Sequence, residues 1–289
     1  MATDSTSMRR RDRLQLGFLV GPTALYLLLF FVIPLGIIFV YSFLKRGVYG
    51  QLVWEFNLQN YVLLVGGALY SAWIFWRKGI MRRRMVGCLL LAYPFAYYIA
   101  RRESARSRNL LLVLVMIPFW TNFLIRTYAW RVILGTDGPI NSFLMWTGLV
   151  NEPLTLLFTE GAVLVGLIYG YLPFMVLPLY AAIERIDFSL MEAAADLYAN
   201  GWQAFRKVLL PLSMPGVIAG CILVFIPSLG AFVTPDLLGG AKTVMIGNLI
   251  QGQFLTARDW PFGSAISMLL MVAVLGATLI YFRQGGRTL

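Results

Sequence analysis

Five runs of apolar residues set what this chain can fold into. They cover 16–43, 109–134, 161–183, 212–233 and 262–282, each near or above the ~20 residues that a helix needs to cross a bilayer. A sixth lies within 61–100 and is interrupted by Arg77, Lys78, Arg82, Arg83 and Arg84. With 59% of residues hydrophobic, only 13% charged and a mean hydropathy of +0.75, the chain carries more apolar surface than a water-soluble fold can cover. The solvent for this surface is lipid. Arg9, Arg10, Arg11 and Arg13 precede the first run as in a secretory signal. That run is too long for a signal's apolar region, and no small-x-small site follows it, so it reads as a spanning helix that stays attached.

Loop charge orients the bundle. With the N-terminus inside and six alternating spans, the inner segments hold Arg9, Arg10, Arg11, Arg13, Arg101, Arg102, Arg106, Arg108, Arg185, Arg206, Lys207, Arg283 and Arg287. The outer loops hold only Lys45, Arg46, Lys242 and Arg258. The asymmetry places both termini in the cytoplasm. The cluster at 77–84 fits badly, because each charge at the bilayer centre costs about 2.5–3.5 kcal/mol. Either the apolar stretch after it, 85–100, is a short, tilted second helix with the cluster at the outer interface, or this stretch does not span.

The division that follows is a cytoplasmic tail over 1–15, then a first helix, outer loop and basic segment over 16–84. A transmembrane domain over 85–282 and a second tail over 283–289 complete it. The net charge of +11 belongs to these loops rather than to nucleic-acid binding. There is no histidine, which removes the commonest general base and zinc ligand. Cys88 and Cys221 lie inside apolar runs and read as packing residues. No catalytic or metal-binding constellation appears. The eight tryptophans sit near predicted membrane edges, as an interfacial belt does.

The longest polar interruption on the inner side starts at Glu184 and ends at Pro211. Asp187 or Ser189 suits a helix start there. Met191, Ala194, Ala195 and Tyr198 share one face at helical spacing. Asn200-Gly201 reads as the left-handed stop of that helix, and 202–209 as a second short helix. Pro211 suits the first turn of the next span. Connections between helices mostly run 2–8 residues, so a hairpin of this length is a candidate for function.

This stretch resembles the signature E-A-A-x3-G-x9-I-x-L-P of binding-protein-dependent ABC permeases. Glu192, Ala193, Ala194, Leu210 and Pro211 match, and Val208 stands at the isoleucine position. Tyr198 stands where the signature has glycine, and Gly201 follows three residues later. The segments 92–101, 117–130, 172–184 and 236–265 resemble the spermidine/putrescine branch of the same family. The resemblance implies an all-α type I importer transmembrane domain of about six helices in the inner membrane. It further implies that the loop 184–211 docks into a cleft of a separate ATPase subunit, which binds ATP and magnesium. No G-x-x-x-x-G-K-[ST] loop occurs in this chain, and Gly239-Gly240-Ala241-Lys242-Thr243 lacks the Gly-Lys pair, so no cofactor is expected here. The implied partners are two ATPase subunits, a second permease subunit, identical or not, an external solute-binding protein and membrane lipid.

For the substrate path, polar groups inside the bundle are the candidates: Asn122, Arg126 and Tyr128, with Pro118, Pro173, Pro178, Pro215 and Pro227 opening carbonyls at kinks. For a polyamine cargo, a carboxylate framed by aromatic faces is required, and Asp236 with Trp120, Tyr128 and Trp260 is the expected set. The competing reading is a secondary transporter or channel for a small cation. It needs carboxylates inside the membrane, whereas each Asp and Glu falls in a predicted loop or near a helix end. A membrane-embedded enzyme is weaker still.

Overall fold

A computed structural model describes residues 20–68, 79–240 and 243–285. The expected tail over 1–15, Arg77, Lys78, Trp73, Trp76 and Lys242 lie outside these. The chain divides into two units, residues 1–69 with 250–289, and residues 70–249.

The first unit contains α1 (Val20–Tyr41), a short ribbon of β1 (Lys45–Arg46) and β2 (Leu52–Val53), α2 (Gln59–Leu63) and α12 (Trp260–Gly285). In α1 no residue of the apolar window is buried, and Phe30 and Phe31 are 68% and 63% exposed. Such a surface is stable only against lipid. The ribbon pairs Lys45 with Val53 and Arg46 with Leu52, antiparallel. Asn60 is buried and donates to the carbonyls of Ser42 (3.1 Å) and Leu44 (2.9 Å), tying α2 to the end of α1.

The second unit holds α3 (Ile80–Ala100), α4 (Ala105–Trp120), α5 (Phe123–Ile133), α6 (Pro139–Trp146), α7 (Glu160–Glu184), α8 (Ser189–Asp196), α9 (Gly201–Leu229) and α10 (Val233–Gly239). A further helix, α11 (Ile246–Leu255), runs across the boundary between the units. The core is the packing of α3 and α9 on α7. Cys88, Ala92, Ala96 and Ile99 of α3 meet Met175, Val176, Leu179 and Ile183 of α7, with Leu209, Val217 and Val224 of α9. Spacings of three and four place each set on one helix face. Close approach is built in by small residues. A side-chain carbon at Gly216 would lie 2.5 Å from Ala182 Cβ and 2.7 Å from the Pro178 carbonyl oxygen, and one at Gly220 would lie 2.7 Å from Met175 Sδ. Gly216 and Gly220 form a G-x-x-x-G pair, the pattern that lets membrane helices touch backbone to backbone.

Among the described residues four helices, α1, α7, α9 and α12, are long and apolar enough to cross a membrane, and α4 with α5 forms a fifth candidate bent by 88°. The remaining one, α3, has 21 residues, about 31 Å at 1.5 Å per residue. The basic cluster does not precede it as expected. Arg82, Arg83 and Arg84 form its first turns, and Arg82 and Arg83 are exposed while Arg84 is fully buried. In its buried position Arg84 donates from Nη2 to Ser228 Oγ on α9 (2.5 Å), and its Nε and Nη1 have no partner among the described residues. Cys88 and Cys221 are free thiols.

Two wide turns have a common cause. In α1 the Ile33 amide bonds to the Leu28 carbonyl, and in α9 the Leu210 amide bonds to the Phe205 carbonyl, five residues back in each case. A proline, Pro34 or Pro211, follows directly. Its ring would clash with the carbonyl four residues earlier, and the widened turn makes room.

Candidate coupling hairpin and substrate path

The hairpin forms between α7 and α9 by the rules of helix ends. Asp187 Oδ1 accepts from the Ser189 amide (3.0 Å) and so opens α8, and this bond holds the exposed Asp187 carboxyl below its ordinary range. At the other end the Tyr198 amide donates to the Ala195 carbonyl (2.9 Å) and the Ala199 amide to the Ala194 carbonyl (3.0 Å). These two bonds are a Schellman closure, which requires a left-handed residue at the position of Tyr198. Tyr198 adopts it, with φ 60°. The spacing from the Glu-Ala-Ala triplet to the signature glycine is therefore the distance from mid-helix to the left-handed residue that ends it. The expectation that Asn200-Gly201 ends the helix is corrected. Asn200 instead starts α9 with a reciprocal cap, accepting from the Gln203 amide (2.8 Å) while its own amide donates to Gln203 Oε1 (3.1 Å).

The second short helix expected over 202–209 is also not separate. It runs through the widened turn into the span, so α9 is continuous for 29 residues. Phe188 and Met191 of the hairpin, with Phe205, Leu209 and Leu210, pack into the core of the second unit. Phe188 meets Tyr97 edge-on at 6.2 Å, and Phe205 meets Tyr93 at 5.3 Å. Arg108 on α4 pairs with Glu184 at the end of α7 (3.1 Å). On the opposite side Glu192 and Ala193 are exposed, Ala194 is half-buried, and Ala195 and Tyr198 are exposed rather than on the apolar face expected for them. Gly201 and Pro211 are exposed and Leu210 is half-buried.

The bend between α4 and α5 makes a cavity of about 310 Å³, lined by Phe119, Thr121, Phe123, Arg126, Tyr171 and Phe174 around Gly170. Gly170 lies about 15 Å along the ~38 Å of α7. Asn122 caps α5 by accepting from the Leu124 amide (2.8 Å). Arg126, nearly buried, donates to the Pro118 carbonyl that the break sets free (2.7 Å). The same carbonyl, left free by the end of α4, also accepts from Thr121 Oγ1 (2.7 Å). Arg126 also lies over the rings of Phe123 (5.7 Å) and Tyr169 (5.9 Å). Phe119 and Phe174 meet edge-on at 5.1 Å.

The four expected path residues are split between the units. Asp236 stands exposed in the first turn of α10, which packs on α5, the helix that carries Tyr128. Trp120 and Tyr128 are exposed at the elbow of the second unit. Trp260 belongs to the first unit, against Tyr41 and Phe254. Two other loop carboxylates are occupied, Glu55 by Lys45 (3.6 Å) and Asp259 by Arg46 (3.7 Å). One buried group was missed from the sequence. Asn141 donates to the carbonyls of Gly135, Thr136 and Leu154 and accepts from the Leu154 amide, stitching the loops on either side of α6. A lone asparagine in an outer loop gives no pattern by which to find it.

Residues 92–284 match the family described as binding-protein-dependent transport system inner membrane component. The chain belongs to this family. Its relatives include the spermidine/putrescine transport system permease protein PotB of Escherichia coli, 44% identical over 264 residues that cover 91% of this chain and 95% of that one. PotB of Haemophilus influenzae is 44% identical over 258 residues, 89% of this chain and 90% of that one. Among solved structures, a bacterial alginate ABC transporter in complex with an alginate pentasaccharide-bound periplasmic protein shares the fold, with a TM-score of 0.70 at 20% identity, covering 98% of this chain and 97% of that one. As an inner-membrane component of this family, the chain is a multi-pass transport permease. The match encloses both the hairpin and the cavity.

Proposed function

We propose that this chain is the permease subunit of an ATP-driven importer for polyamines of the spermidine/putrescine class. The observation that carries the cargo is 44% identity, across nine-tenths of the chain, to permeases named for that substrate. The aromatic lining of the elbow cavity supports it, since cations are held by ring faces at about 0.5–2 kcal/mol each. Arg126 in that lining is a like charge, so the cavity suits passage rather than tight retention, with selectivity left to the external binding protein.

ATP hydrolysis takes place on a separate ATPase subunit that receives α8, with Glu192, Ala193 and Ala194 at the contact and Gly201, Leu210 and Pro211 in the helix that carries the movement inward. A second permease subunit completes the pore, and both termini lie in the cytoplasm. Asp236, Trp120, Tyr128 and Trp260 belong to the entry side of the path. The test is uptake of labelled putrescine and spermidine by a deletion strain carrying this chain and its partner subunits. Glu192→Lys and Ala194→Arg abolish uptake while permease abundance in the membrane is unchanged. Wild-type uptake in both variants refutes the docking role. Competition by excess amino acid, sugar or phosphate, with none by polyamines, refutes the cargo.

A further inference from the structure

The hairpin pays for its turn in an unusual way. The Schellman closure of α8 needs a left-handed residue, and glycine fills that position without steric cost. A bulky side chain at φ 60° is strained. Strain of this kind persists where something outside the local backbone repays it. Nothing among the described residues does so: Tyr198 is 98% exposed. The hydroxyl and ring project from the end of α8 into solvent.

Its neighbours give that projection a chemistry. Leu197 is 82% exposed and Trp202 is 67% exposed, so three large side chains cluster in sequence around one turn. Trp202 is held in place by stacking on Phe205 at 5.4 Å, and Phe205 is packed into the core. Glu192 and Asp196, exposed on α8, form no ion pair among the described residues. The tip is therefore a firmly mounted aromatic and aliphatic knob beside two free carboxylates. Exposed tryptophan and tyrosine also suit a lipid interface, and Arg206 and Lys207 beyond Trp202 are exposed as well, but Glu192 and Asp196 on the helix that Tyr198 ends oppose an anionic membrane surface. A protein surface with an apolar pocket and a basic rim answers both features.

We infer that Tyr198 is a partner-selecting knob, its ring seated in an apolar pocket on the ATPase subunit beside basic residues that meet Glu192 and Asp196. The inference rests on the docking role proposed above for α8 and specifies what that contact recognises. ATPase subunits that serve permeases with glycine at this position lack the pocket, and the tyrosine excludes them. The backbone strain at Tyr198 is repaid on assembly.

The experiment uses the full chain, co-expressed with its ATPase subunits and solubilised, in three variants: Tyr198→Gly, Tyr198→Phe and Glu192→Lys. Thermal unfolding of the isolated chain and affinity for the ATPase are both measured. Tyr198→Gly raises the melting temperature, because glycine removes the strain. It also weakens ATPase binding at least about tenfold, the loss that follows removal of a buried interface aromatic. Tyr198→Phe keeps the ring and binds like the wild type. A protein made more stable and less able to assemble separates recognition from misfolding. If Glu192→Lys disrupts assembly while Tyr198→Gly binds as the wild type does, the knob is refuted and the docking role stands. If neither variant changes assembly, both fall.

Discussion

Replacing Gly216 by alanine adds one methyl group where α9 crosses α7. That carbon would meet Ala182 Cβ at 2.5 Å, the Pro178 carbonyl oxygen at 2.7 Å and Leu179 Cα at 3.3 Å. Carbon atoms rest at about 3.5–4.0 Å, so the helices must part by roughly 1 Å. Two of the three opposing atoms are backbone and have no rotamer to escape into. Overpacking of this kind costs about 1–3 kcal/mol. Alanine in a helix returns about 0.5–1 kcal/mol over glycine. The net loss centres on about 1 kcal/mol, or roughly 2–4 °C in melting temperature for a domain of this size. Gly276 on α12 has nothing within 4 Å of an added carbon, so Gly276→Ala keeps only the helix gain. The assay is thermal unfolding of both variants in the same detergent or nanodisc, followed by intrinsic tryptophan fluorescence. A Gly216→Ala protein melting at or above the wild type refutes the backbone contact as a source of stability. An equal drop in Gly276→Ala refutes its attribution to packing.

Asn141→Ala strands three carbonyls and an amide, at about 1–3 kcal/mol for a buried group left unpaired, and limited proteolysis then cuts within 135–154 where the wild type resists. Uncut loops at equal protease exposure refute the stitching role. For topology, single cysteines at Ser142 and Val244, in a background lacking Cys88 and Cys221, react with an impermeant thiol reagent in intact cells, and one at Ser189 does not. All three positions are exposed, whereas Thr243 beside Val244 is buried and would report packing instead of sidedness. The reverse labelling pattern inverts the orientation.

Residues 161–183 and 212–233 announced themselves as spans because apolar composition over twenty residues leaves a chain no solvent but lipid. The triplet Glu192-Ala193-Ala194 and Leu210-Pro211 were legible for a different reason: they stand at the spacing of the signature that the stretch resembles. The G-x-x-x-G pair at Gly216 and Gly220 stands in the sequence but was not read from it, and only the packing shows that its partner is α7. Local rules were less able to choose between near-equivalent residues. Asn200-Gly201 and Tyr198 are three residues apart, and composition favours the glycine as the stop. The structure places the stop at Tyr198, because Ala194 and Ala195 offer their carbonyls to the amides of 199 and 198.

What tertiary structure alone decided is where charge and polarity could be buried. Three consecutive arginines read alike in sequence, yet the turn of α3 faces Arg84 inward to Ser228 and leaves Arg82 and Arg83 outside. The pairing of Arg126 with the Pro118 carbonyl needs an 88° bend whose angle no residue pattern encodes. Likewise, Asn141 becomes a staple only when 135–136 and 154 arrive beside it. Membrane residence, helix ends and family depend on neighbours in sequence and could be read from it. Partners distant in sequence are assigned by packing, and a buried donor has meaning only once packing has supplied its acceptor.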